Sequence, residues 1–255
     1  MFNVEKVTYD LIKWIEEWFN TNGKNCNAVI GISGGKDSTI AAALLTKALG
    51  PNRVIGVLMP NGDQSDIEDA YKVVNFLKIR SIEANIENTV NAVYKSIDTA
   101  IYDLVRQGYN TLKISEQTKI NLPARIRMST LYAISQSSNG RVVNTCNMSE
   151  DYIGYSTKYG DAAGDFSLFA NLTVTEILQI GDYIGLPHEL VHKTPSDGLC
   201  GKSDEENLGF TYELLDRYIR YGIEPNTDIK NRIDTLHTQN LFKMKVMDSF
   251  PYVES

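Results

Sequence analysis

An α/β fold, a doubly wound parallel sheet with helices on both faces followed by a helical C-terminal section, is predicted by three observations. Short apolar runs alternate with stretches of helical periodicity from the first residues to Thr145. The runs lack the polar alternation of a half-exposed sheet, which marks strands covered on both sides. No linker rich in Pro, Gly or Ser divides the 255 residues, so positions 1–255 are expected to form one domain.

Asn3 is placed to cap a first helix whose apolar residues fall at Val4, Val7, Leu11, Trp14, Ile15 and Trp18, with Gly23 as its stop. Ala28-Val29-Ile30-Gly31-Ile32 reads as a buried strand, and Ser38 to Leu49 as a helix closed by Gly50-Pro51. Val54 to Met59 predicts a second strand. Asp66 to Leu77 predicts a helix whose Asp66, Glu68 and Asp69 complement its dipole. Arg80 to Ile86 predicts a third strand, and helices follow over about 89–105 and 123–135. Arg141 to Thr145 returns to strand. From there to Asn171 the chain is polar and is expected to be irregular. Thr173-Val-Thr-Glu176 has the spacing of a capping box opening a helix to Ile184. Glu205 to Tyr221 predicts one amphipathic helix, and Asp228 to Lys243 a last one. In such a sheet, ligands collect at the carboxyl ends of the strands.

Composition narrows the function. A net charge of -7 argues against a protein that coats nucleic acid, which needs a surplus of Lys and Arg. No apolar run is long enough to cross a bilayer, and the opening MFNVEKVTYD has no apolar leader core, so a cytoplasmic protein with no membrane partner is expected. Cys26, Cys146 and Cys200 form no CxxC and are read as reduced thiols. His188, His192 and His237 suggest neither a zinc site nor a nucleophilic triad.

The strongest local signal is Gly31-Ile32-Ser33-Gly34-Gly35-Lys36-Asp37-Ser38-Thr39, between the first strand and its helix. Glycines let the backbone turn with its N–H groups facing inward. The helix N-terminus adds free N–H groups and about half a positive charge. Ser33, Ser38 and Thr39 add hydroxyl donors, so the segment is a phosphate cradle, although it matches neither GxxxxGK[ST] nor GxGxxG. Asp37 is a carboxylate in an anion site, a conflict that a shared Mg²⁺ resolves. Lys36 can reach a phosphate or lie in solvent.

SGGKDS resembles the loop of ATP pyrophosphatases that transfer AMP, a superfamily including NAD synthetases, GMP synthetases, asparagine synthetases and tRNA-modifying enzymes. Further segments resemble ammonia-dependent NAD synthetases in the family order. These are Met59-Pro60-Asn61-Gly62-Asp63-Gln64-Ser65-Asp66, Asn121-Leu-Pro-Ala124-Arg125-Ile-Arg127-Met128 and Thr145-Cys-Asn-Met-Ser-Glu150. Then come Thr157-Lys158-Tyr159-Gly160-Asp161 with Asp165, Lys193-Thr-Pro195-Ser196, and Asp204-Glu205 followed by Leu208-Gly209 and Tyr212.

The resemblance implies an adenine nucleotide alpha hydrolase-like fold and ATP-dependent amidation of deamido-NAD by ammonia through an acyl adenylate. It implies ATP contacts at the loop, Thr145 and Ser196, and Mg²⁺ at Asp37 and Glu150. It places Arg125, Lys158 and Asp165 at the dinucleotide, with Asp37 and Asp165 as catalytic residues, and it implies a homodimer. The sequence has no glutaminase region, so the ammonia is expected to be free or delivered by a partner. Two family positions differ. Val174 stands where the family has a lysine near ATP, and Thr238-Gln239-Asn240-Leu241-Phe242-Lys243 replaces a C-terminal His-Lys pair. Both differences bear on the substrate more than on adenylation. A tRNA-modifying relative and a nucleotide-binding module without turnover are the alternatives.

Overall fold

The computed structural model describes residues 2–64, 66–108, 113–192, 204–245, 247 and 249–251. Five parallel strands, β1 (Asn27–Gly31), β2 (Val54–Leu58), β3 (Arg80–Glu83), β4 (Gly140–Asn147) and β5 (Phe166–Phe169), stand in the order β3-β2-β1-β4-β5. The chain runs outward from β1 through β2 to β3, then returns to lay β4 on the other side of β1. The crevice between the carboxyl ends of β1 and β4 is therefore the switch point, where ligands bind in open α/β sheets.

Side chains alternate across β1, so Ala28 and Ile30 enter one core and Val29 the other. The first core is closed by α1 (Val4–Asn22), α2 (Lys36–Leu49), α3 (Ile67–Leu77), α7 (Val174–Tyr183) and α8 (His188–Val191), through residues such as Phe19, Leu44, Val73, Ile177 and Val191. The second is closed by α4 (Glu87–Arg106) and α5 (Glu116–Ser137), which bring Val90, Met128 and Leu131 onto Val29, Val57 and Val142. Burying each such side chain is worth roughly 1.5–3 kcal/mol. Helices thus cover both faces, as the buried apolar runs of β1 and β2 require. A third cluster joins α6 (Met148–Ile153), α9 (Asp204–Leu208), α10 (Tyr212–Tyr221) and α11 (Thr227–Met244) through Ile153, Leu208, Leu215 and Ile233. Among the described residues no helix is long and apolar enough to cross a membrane. Cys26 and Cys146 are free and buried, whereas Cys200 lies outside the described residues.

The structure corrects several expected boundaries. The stretch from Thr145 to Asn171 is not irregular, because β4 continues to Asn147 and is followed by α6 and β5. With only four residues, β5 is too short for a periodicity argument. It pairs with β4 across a register shift between Asn144 and Asn147. The Asn144 amide fills that irregularity, donating to the carbonyls of Asp161 and Ala163 at 2.8 and 3.2 Å. The expected helix from Glu205 to Tyr221 breaks at Gly209 (φ +79°), and Thr211 caps α10. Helix α5 starts at Glu116 and carries Pro123 inside it. Proline leaves the carbonyl four residues earlier without its donor, and that carbonyl, on Lys119, accepts the Tyr94 hydroxyl at 3.3 Å. Strand β3 ends at Glu83 and is exposed throughout, as befits a sheet edge.

Candidate active site

The segment after β1 folds as a knot of short polar contacts. Gly34 adopts φ +78°, and a Cβ there would stand 2.8 Å from the Cβ of Asp69 and 2.9 Å from the backbone nitrogen of Ala70. Only glycine meets both demands. The Ser38 hydroxyl accepts from the Ser33 backbone N–H at 3.3 Å and donates to the Gly35 carbonyl at 3.1 Å. Ser33 Oγ lies 3.1 Å from Ser38 Oγ and accepts from the Gly35 N–H at 3.2 Å, while Thr39 Oγ1 donates to the Gly35 carbonyl at 2.8 Å. Ile32 anchors the loop to the sheet, its N–H donating to Val57 O at 2.9 Å. The hydroxyls of Ser33, Ser38 and Thr39 therefore shape the turn, and a helix N-terminus such as that of α2 leaves first-turn N–H groups open to an anion.

Two carboxylates meet at this corner. Asp37 is in the first turn of α2, after β1, and Glu150 is in the first turn of α6, after β4. Asn147, 0 % exposed, connects them. Its Nδ2 donates to Asp37 Oδ1 at 3.2 Å, and its Oδ1 accepts from the Glu150 N–H at 3.0 Å. Its own N–H donates to Glu150 Oε2 at 3.4 Å, completing a capping box. The sequence signal for this role was present, since Asn147 and Glu150 have capping-box spacing, but it pointed to a helix start and not to a link with Asp37.

Lys36 is 7 % exposed, so the solvent alternative is excluded. Its Nζ lies 2.8 Å from Asp37 Oδ2 and 5.5 Å from the ring centroid of Tyr212. Burial works to lower the Lys36 pKa, yet the carboxylates of Asp37 and Glu150 outweigh it and hold the ammonium above its ordinary value. Burial and the neighbouring Asp37 carboxylate push Glu150 well above the usual carboxylate range.

Two oxygen-bearing groups with this mutual repulsion suit a hard dication, which relieves it. No group of three or more His, Cys, Asp or Glu residues fit to hold a metal occurs among the described residues. The donor chemistry of the pair Asp37 and Glu150, two carboxylates, is compatible with a hard dication that completes its shell with phosphate oxygens and waters.

The other predicted residues lie in a second neighbourhood. Arg125 is exposed on α5 and donates through Nε to the Lys158 carbonyl at 3.3 Å. Arg127 faces elsewhere, donating to Met59 O at 3.0 Å beyond the end of β2, and burial lowers its pKa. Lys158 Nζ donates to the Phe242 carbonyl at 2.9 Å, at the end of α11. Exposed Tyr159, at φ +64°, lies with its ring centroid 5.3 Å from Lys158 Nζ.

Asp165 is not part of the Asp37–Glu150 corner. It precedes β5, and its Oδ2 accepts from the Val142 N–H at 2.7 Å. Val142 is upstream of Asn147 in β4, roughly 16 Å away at ~3.3 Å per residue. Thr145 lies between, half-buried within β4. Ser196, with Lys193 and Pro195, lies outside the described residues.

The two family departures have structural accounts. Val174 is 4 % exposed and packs in the third cluster, so its position belongs to the core here. Lys243 Nζ donates to the carbonyls of Gly154 and Ser156 at 2.8 and 3.2 Å. It therefore holds the loop after α6. His237 Nδ1 lies 2.7 Å from Tyr152 O and His192 Nε2 2.9 Å from Asp182 Oδ1, and neither meets the corner.

Comparison with known proteins gives one consistent result. The family model described as NAD synthase matches residues 7–250. The chain is 37 % identical over 245 residues to an NH(3)-dependent NAD(+) synthetase from Alkaliphilus metalliredigens, covering 95 % of this chain and 96 % of that one. It is 35 % identical to one from Finegoldia magna, covering 98 % of each. Among solved structures it is similar to an NMN synthetase from Francisella tularensis, with TM-score 0.86 and 29 % identity over 99 % of this chain and 100 % of that one. An NH3-dependent NAD synthetase from Campylobacter jejuni superposes with TM-score 0.73 and 26 % identity over 98 % of this chain and 100 % of that one.

Proposed function

The chain belongs to the NAD synthase family, and from that premise we propose that it is a carbon–nitrogen ligase that amidates the carboxylate of deamido-NAD with ammonia, converting ATP to AMP and pyrophosphate. The observation that carries the reading is the meeting of Asp37 and Glu150 through Asn147 at the switch point, beside the Ser33–Thr39 cradle.

The first-turn N–H groups of α2 and the Lys36 ammonium receive the triphosphate. Asp37 and Glu150 would hold Mg²⁺, whose charge offsets that of the phosphates and favours departure of pyrophosphate. Thr145 and Ser196 remain assigned to the nucleotide. Arg125, Lys158 and Asp165 line the dinucleotide side, with Asp165, bonded to the Val142 N–H, toward its far end.

A carboxylate is a poor electrophile and its oxygen a poor leaving group, and adenylation cures both. A substrate carboxylate oxygen bonds to the α-phosphorus as the bond to pyrophosphate breaks. Ammonia then attacks the acyl carbon, the bond to AMP breaks, and the nitrogen gives up a proton. Fixed donors at the phosphates keep the incoming carboxylate from being repelled. The protein is proposed to act as a homodimer in the cytoplasm, with ammonia free or supplied by a partner.

The test is to combine protein, ATP, Mg²⁺, deamido-NAD and ammonium. NAD, AMP and pyrophosphate are expected in equal amounts. Formation of ADP, or ATP binding without pyrophosphate release, defeats the reading, and the second result favours a module without turnover. Retention of tRNA on a filter favours a tRNA-modifying relative.

A second reading concerns the substrate alone. The likeness to an NMN synthetase, with Lys243 and Lys158 both engaged in the C-terminal contact, favours trying the mononucleotide acid of nicotinate. A higher kcat/KM for nicotinate mononucleotide than for deamido-NAD replaces the dinucleotide by the mononucleotide.

A further inference from the structure

Tyr212 opens α10 and is 4 % exposed. Its ring packs in the third cluster, and its backbone N–H donates to Glu205 Oε1 at 2.7 Å, so the side chain is fixed from two directions. Its hydroxyl is buried and has no hydrogen-bond partner among the described residues. That is unusual, because a buried hydroxyl without a partner is costly and rare. The hydroxyl is also near the corner. Burial, and then the carboxylates of Glu150, Asp204 and Asp37, push the phenol up, so it stays an O–H donor.

Three of the neighbouring carboxylate oxygens already have other donors. Asp37 Oδ1 accepts from Asn147, Asp37 Oδ2 pairs with Lys36, and Glu150 Oε2 accepts from Asn147 N–H. A donor kept protonated beside a cationic ammonium and an anion cradle is suited to an anionic oxygen arriving from outside the fold.

We infer that the Tyr212 hydroxyl donates a hydrogen bond to a phosphate oxygen of the nucleotide bound at the Ser33–Thr39 loop, making Tyr212 and Lys36 one wall of the phosphate site. The assignment rests on the reading of that loop as the ATP site. Tyr212 is then a binding residue contributed by the C-terminal section to a site otherwise built on the sheet.

The two roles open to a buried hydroxyl predict opposite responses to Tyr212→Phe. Loss of a hydroxyl that has no partner in the fold leaves the melting temperature without nucleotide equal to or above that of the parent protein. Loss of its nucleotide contact makes the stabilisation by Mg·ATP smaller and raises KM for ATP by about 10-fold, as for a hydrogen bond to a charged group, with KM for ammonia unchanged. Melting curves of both proteins with and without Mg·ATP, with steady-state kinetics, read these effects. If the variant gains as much from Mg·ATP as the parent and keeps its KM, the inference is overturned while the ATP site stands. If the variant melts lower without nucleotide, the hydroxyl serves the fold and the inference is overturned. If the parent protein itself gains nothing from Mg·ATP, the reading of the loop falls and the inference falls with it.

Discussion

The Asp37–Glu150 corner and the loop from Gly154 to Asp165 hold the two halves of the proposed substrate set, and they are built differently. The corner is made of strand ends and first turns of helices. Most of its hydrogen bonds are short-range along the chain, tied to the rest of the fold by the Asn147–Asp37 and Ile32–Val57 bonds, and Lys36, Ser38, Thr39 and Asn147 are buried. The loop has little regular structure and is fastened by long-range polar contacts. Thr157 Oγ1 donates to Asn121 Oδ1 on α5 at 2.8 Å, Lys243 reaches back from α11, and Arg125 and Lys158 engage backbone carbonyls. The contrast teaches that the phosphate side is prepared by the sheet, whereas the dinucleotide side depends on helices far away in sequence. Damage at the corner should fall on turnover, and damage at the loop on substrate affinity.

The largest effect is expected from Asp37→Asn. Asparagine keeps the shape but removes the charge opposite Lys36 and at the proposed Mg²⁺ position. A fall in kcat of roughly 10²–10³-fold is expected, by analogy with the loss of a single electrostatic catalytic group, with the far-ultraviolet circular dichroism retained. A kcat within a few-fold of the parent value would break the comparison at its strongest point.

Asn147→Ala comes next. It severs the link between the two carboxylates and removes the cap of α6, so a loss of about 1–3 kcal/mol in denaturant unfolding is expected. A fall of about 10-fold or more in kcat should accompany it, since misplacement of a reacting group is expensive. Stability lost with kcat intact would make Asn147 a cap and nothing more.

Arg125→Ala should raise KM for the dinucleotide by about 10-fold, the order expected for one charge-assisted hydrogen bond, and leave KM for ATP unchanged. Equal changes in both constants would show that the two regions are not separable. The smallest effect is expected from Lys243→Met, which frees the carbonyls of Gly154 and Ser156. Loss of these part-buried bonds is worth about 1 kcal/mol, hence a few-fold rise in KM for the dinucleotide at constant kcat. A change in KM for ATP instead would place α11 at the nucleotide.

Much of this was legible in the amino-acid sequence, for identifiable reasons. The buried run Ala28–Ile32 declared a strand covered on both sides, and Gly34 declared a turn that only glycine completes, since its demands are local. Asn3 and the Thr173–Glu176 pair announced their helices because capping is a contact over three residues. Strand β5 was not legible. Four residues carry too little periodicity, and their identity as strand comes from pairing with β4.

The state of Lys36 was only half decidable from its neighbours, because Asp37 beside it supplies the larger part of its charge balance while the Tyr212 ring from α10 and the Glu150 carboxylate from beyond β4 reach it from far along the chain. Asp165 shows the same limit, since only the pairing of β4 with β5 decides that its carboxylate meets Val142 and not the corner. The sequence by itself determined the layered α/β architecture, the cradle and the identity of its carboxylates, all of which follow from periodicity, backbone freedom and charge within a few residues. The tertiary structure alone decided which distant groups neutralise, cap and wall that cradle, because desolvation and Coulomb interaction depend on separation in space and not along the chain.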